Sequence, residues 1–108
     1  MAKDIFAVMI LEEDTGQPLY TYFIDPQLKR NPGLIPQKLR TKEIRMVHVL
    51  GKHVVFTALV APETTGVKEK LEKLRERIEK VFPEGLKRGK GNFADMVILE
   101  NISQEVLL

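Results

Sequence analysis

The sequence predicts an α+β domain: an antiparallel sheet of four to five strands in the order β-β-linker-β-β, then two helices packed on one face. Three observations carry this. Apolar, β-branched and aromatic runs occupy residues 5–11, 19–24, 43–50 and 53–60. Each neighbouring pair encloses a turn, acidic and Gly/Pro-containing at 12–18 and Gly51-Lys52 in the second pair. Beyond the last run the apolar spacing changes from two to alternating steps of four and three, the period of a helix.

The first strand, residues 5–11, is continuously apolar and is expected in the centre of the sheet. In the second, Leu19, Thr21 and Phe23 alternate with Tyr20, Tyr22 and Ile24. Residues 25–42 read as a linker with short elements. Asp25-Pro26 suits the start of a helical turn, Pro32-Gly33 and Pro36 forbid a long helix, and 34–39 fits a short edge strand. Residues 43–50 and 53–60 form the central hairpin, with Gly51 expected at positive φ in a two-residue turn. Pro62 ends the fourth strand, and Thr64 or Thr65 is the expected N-cap of the helix that follows. Val67, Leu71, Leu74, Ile78 and Val81, with Phe82, form its apolar stripe. Pro83 and Gly85 stop it. Residues 84–92 are a Gly- and Lys-rich connection, and Asn92 suits the cap of a last helix over 93–107 with Phe93, Val97, Ile98, Ile102 and Val106 inward.

At 108 residues the chain is one domain with a real core. Its 44% hydrophobic and 30% charged content excludes disorder, and a net charge of +2 does not by itself point to nucleic acid. The absence of cysteine excludes disulfides, thiol nucleophiles and Cys-ligated metals. No apolar stretch is long enough to span a membrane and no leader pattern is present, so a cytoplasmic placement is expected. Many Lys and Glu with few Asn and Gln fit a thermophilic source.

The stretch Ile5-Phe6-Ala7-Val8-Met9-Ile10-Leu11, the turn Asp14-Thr15-Gly16 and then Pro18-Leu19-Tyr20 resemble the opening hairpin of the roadblock/longin family of small α+β domains. The strand pair over 43–60 running into an amphipathic helix is similar to that family's second half, and Phe93 onward to its closing helix. The chain departs from the family between strands two and three, where a long helix gives way to 25–42 with its three prolines. The resemblance implies a scaffold that dimerises and binds small Ras-like GTPases, motor subunits or trafficking machinery. It implies no catalytic residues.

Several clusters invite chemical readings. His48 and His53 flank the hairpin turn, but two imidazoles lack the third ligand of a metal site, and Glu43 and Glu63 are the nearest candidates by sequence. Glu12, Glu13 and Asp14 form an acidic turn, where solvated carboxylates are the plainer reading than acid–base work. Lys29, Arg30, Lys38, Arg40 and Lys42 make one basic cluster and Lys87, Arg88 and Lys90 another; no aromatic residue interleaves with either, which argues against nucleic acid. Gly89-Lys90-Gly91 lacks the spacing of a phosphate loop. No acid, base or nucleophile constellation is visible, so neither an enzyme nor a cofactor is expected.

The expected function is therefore a non-catalytic protein-interaction module, homodimeric, with a small GTPase or another protein as partner. Dimerisation would use either an edge strand or the sheet face left open by the shortened linker, and the strand over 43–50, through Arg45, Val47 and Val49, is the expected edge. Tyr20, Tyr22, Lys38 and Arg40 are the expected partner contacts. The alternative is a small-molecule sensor or ligand-binding domain of similar shape.

Overall fold

In the computed structural model, which describes residues 5–83 and 93–107 (backbone alone for 93–96), four antiparallel strands form one sheet in the order β2-β1-β4-β3. The strands are β1 (Ile5–Glu12), β2 (Pro18–Phe23), β3 (Arg45–Leu50) and β4 (Val54–Val60). The two most apolar strands, β1 and β4, lie in the middle, because only there is each flanked and covered. In the first hairpin Gly16 takes the positive φ, 74°, where a side chain is strained.

Residues 34–39 are not a fifth strand. They lie in a second short helix, α2 (Leu34–Arg40), after α1 (Pro26–Arg30). Asp25 caps α1, its carboxylate accepting from the Gln27 amide at 2.9 Å, and Pro26 sits at the first helical position. Pro36 is in the first turn of α2, where no intrahelical partner exists for the missing N–H, so the proline is tolerated.

The long helices are α3 (Val67–Val81) and α4 (Phe93–Leu107). The cap of α3 is not a threonine. Gly66, at φ 75°, precedes the helix without a side-chain cap, and Thr64 is buried in the preceding turn. Val67, Leu71, Leu74 and Ile78 face inward as the spacing predicts, but Val81 is exposed and Phe82 packs in its place. On α4 the inward residues are Leu99, Ile102, Ser103, Val106 and Leu107, while Val97 and Ile98 are exposed. The expected stripe is thus turned by about one residue. The connection 84–92, including its basic cluster and the Asn92 cap, lies outside the described residues.

The main core fills the space between one sheet face and α3 and α4. Val8 and Ile10 of β1, Phe56, Ala58 and Val60 of β4 and Val49 of β3 meet Leu71, Leu74, Ile78, Ile102 and Leu107 there. Each of these side chains larger than alanine contributes roughly 1.5–3 kcal/mol on leaving water. Among the described residues the opposite face is covered at one end only. There Ala7, Leu59 and Ile44 form a second, smaller core with Ile35 and Leu39 of α2 and with Phe6, Met9 and Phe23.

Candidate functional site

β3 is an edge strand, and its register decides what that edge offers. Arg45 faces Val60, Val47 faces Ala58 and Val49 faces Phe56. The Gly51 amide donates to the Val54 carbonyl at 2.9 Å. Hydrogen-bonded pairs recur every second residue, so Val49, Val47 and Arg45 spend their backbone groups on β4. The N–H and C=O of Met46, His48 and Leu50 therefore point away from the sheet, and among the described residues no strand lies beyond them.

The same period places the side chains of Met46, His48 and Leu50 on the sparsely covered face. Leu50 is 71% exposed and Met46 38%. His48 lies between them, its Nδ1 2.9 Å from Oγ1 of Thr57, the residue directly opposite on β4. Thr57 is buried, so this bond fixes the imidazole against the sheet.

The expected interface residues lie on the other side of the strand. Val49 is 8% exposed and belongs to the main core, and Val47 packs against that core. Arg45 turns back toward the start of α3: its Nε donates to the Pro62 carbonyl at 2.9 Å and its Nη2 to the Thr64 carbonyl at 2.5 Å. These three side chains hold β3 in place, while the backbone edge and the open face belong to the alternate residues. Sequence alternation showed the two sets but not which faced the helices. The phase set by the turn is the signal that separates them.

That turn differs from expectation. Its central residues are Lys52 and His53, and the positive φ, 65°, falls on His53 rather than on Gly51. Gly51 is needed for another reason: a β-carbon there would lie 2.6 Å from the Phe56 ring. The turn is tied down by the Lys52 amide donating to Glu79 Oε2 at 2.8 Å, by Lys52 Nζ donating to the Pro83 carbonyl at 3.0 Å, and by the Glu13 amide donating to the His53 carbonyl at 3.1 Å. Arg75 in turn pairs with Glu79 at 3.3 Å.

The other predicted site residues are scattered. Tyr20 is buried, its hydroxyl 3.4 Å from Ser103 Oγ, and burial pushes its phenol above the usual range. Tyr22 is half-buried against the main core. Lys38 pairs with Glu43 at 3.6 Å, and the Thr41 hydroxyl and Lys38 together hold the Glu43 carboxyl below its ordinary value. Arg40 is exposed in the last turn of α2. An open cleft of about 190 Å³ runs beside the β2 edge, lined by Tyr20, Thr21, Tyr22, Phe23, Lys29 and Glu100. His48 and His53 find no third ligand: among the described residues no group of three His, Cys, Asp or Glu side chains is placed to hold a metal. No helix among the described residues is long and apolar enough to cross a membrane.

No protein-family model, no curated protein and no solved structure matches this chain.

Proposed function

We propose that the chain is a non-catalytic interaction module, roadblock/longin-like in layout, that works as a homodimer through the free edge of β3. One observation carries this reading: Met46, His48 and Leu50 present backbone groups that no other described strand takes up, together with an apolar face. Edge strands that must stay single are blunted by Lys, Pro or a bulge. Between Arg45 and Leu50 β3 has no Lys and no Pro, and its pairing with β4 runs without a bulge. The β2 edge is protected by contrast, headed by Pro18 and paired to β1 through a bulge between Ile10 and Leu11. A small Ras-like GTPase is the partner class that the family likeness implies for such a dimer, with Tyr22 and Arg40 as accessible contacts.

The test is light scattering after size-exclusion chromatography across a dilution series. A dimer that dissociates on dilution, and that Leu50→Lys weakens at least tenfold with the far-UV CD spectrum retained, supports the module. A monomer at high micromolar concentration overturns it. A second reading, a small-molecule binding domain, is favoured by the cleft beside β2. It predicts that a metabolite mixture raises the melting temperature of the wild type but not of a Lys29→Ala, Glu100→Ala double variant.

A further inference from the structure

Resting on the homodimer reading above, we propose that the two-fold axis of the dimer passes through His48, sets the two imidazoles side by side, and makes association acid-labile. A two-fold axis normal to the sheet pairs β3 with its copy in antiparallel fashion and keeps the helices of both copies on one side. The register then follows from which amides are free. Sliding the pairing toward the start of the strand would need the Ile44 amide, which already donates to the Lys38 carbonyl at 3.4 Å. Sliding it toward the turn would need the Lys52 amide, which is held by Glu79 at 2.8 Å. Only the register centred on His48 uses Met46, His48 and Leu50 of both copies, each facing pair exchanging two hydrogen bonds.

That register is also self-complementary. Met46 faces Leu50 of the second copy on the open side, Val47 faces Val49 on the helix side, and Arg45 faces Gly51. The one ionisable group set against itself is His48, with the two α-carbons about 5.5 Å apart as in any hydrogen-bonded antiparallel pair.

Among the described residues, the surroundings offer an imidazolium no counter-charge. On that face β4 contributes Val55, Thr57 and Leu59, β1 contributes Ala7, Met9 and Leu11, and β2 contributes Thr21 and Phe23, none of them acidic. From α2 come Ile35 and Leu39, while Lys38 is tied to Glu43 and Arg40 is exposed. The second copy adds Met46 and Leu50. Protonation would therefore place two like charges together on an apolar surface, and the dimer binds fewer protons than two monomers do. Association must weaken as pH falls through the range where imidazole gains its proton, near 6.5 in peptides.

The experiment measures the dimer dissociation constant of the full chain at about pH 7.5 and about pH 5.5, for wild type, His48→Gln and His53→Gln. Excluding one or both protons predicts a rise of roughly ten- to a hundredfold for the wild type and for His53→Gln, and a flat response for His48→Gln. A wild-type dimer indifferent to pH, or a His48→Gln dimer that still falls apart in acid, overturns the proposal while leaving the dimer intact. Failure to dimerise at either pH overturns the dimer reading and this one with it. Cysteine scanning reads the register independently, since the natural chain has no cysteine. His48→Cys should be joined to its copy by a short thiol-to-thiol cross-linker, because the facing α-carbons lie about 5.5 Å apart, whereas Leu50→Cys alone should not. Efficient cross-linking of Leu50→Cys instead would place the axis elsewhere.

Discussion

The two faces of the sheet are built from the same kinds of residue and meet different fates. On one, Phe56, Ala58, Val60, Val8 and Ile10 are sealed beneath α3 and α4. On the other, Met46 and Leu50 continue a surface that α2 covers only around Ala7, Ile44 and Leu59. Hydrophobicity alone does not separate these groups. What separates them is whether a helix of the same chain arrives to cover them. Pro32 separates the short α1 from α2, and among the described residues α2 covers the end of the face around Ile44 and Leu59 and leaves Met46 and Leu50 exposed. The first face accounts for stability, and the second is where we place function.

Truncations on the two faces should diverge most. Phe56→Ala removes a fully buried ring and should cost about 3–5 kcal/mol. Leu50→Ala, in protein dilute enough to be monomeric, should change stability by no more than about 0.5 kcal/mol. Urea denaturation of both variants makes the comparison, and similar costs would mean that the open face is covered within the monomer.

Arg45→Ala tests the link between the faces. It removes two donors to the carbonyls of Pro62 and Thr64 and should cost about 1–3 kcal/mol, part of it the unpaired Thr64 carbonyl. It should weaken dimerisation only through the looser anchoring of β3. If Arg45→Ala abolished association without loss of stability, the guanidinium would be a direct contact.

The smallest expected effect is alkaline. Burial raises the Tyr20 phenol above its ordinary value near 10, so the unfolded chain releases this proton at lower pH than the folded one. Its share of stability is complete below about pH 10 and is lost as pH climbs through the folded value. Tyr20→Phe should therefore flatten the fall in melting temperature between about pH 9 and about pH 11 while costing roughly 0.5–1.5 kcal/mol at neutral pH. An unchanged alkaline slope would assign the loss to other groups.

Much of the fold was legible in the sequence because local rules and tertiary need agreed. The continuous run over 5–11 became a central strand, Asp25-Pro26 started a helix, and the four-three spacing from Val67 to Ile78 faced inward. The differences arose where one local pattern admits two tertiary outcomes. Residues 34–39 suit an edge strand or a helix whose first turn absorbs Pro36, and the apolar patch of Ile44 and Leu59 draws Ile35 and Leu39 into a helix. The β3 edge was legible only by half. β3 could be named as an edge, but whether Val47 and Val49 or Met46 and Leu50 faced outward depended on the phase of its pairing with β4. That phase is fixed by a turn whose positive φ lies on His53, where no glycine marks it.

The most direct measurement is amide hydrogen exchange along β3 at low and high protein concentration. The amides of Val47 and Val49 bond to β4 and should be protected at both. Those of Met46, His48 and Leu50 should exchange freely in dilute protein and slow by about tenfold or more when concentrated, as a second copy pairs with them. Equal, rapid exchange of these three at both concentrations, with Val47 and Val49 still protected, would contradict the edge-paired dimer.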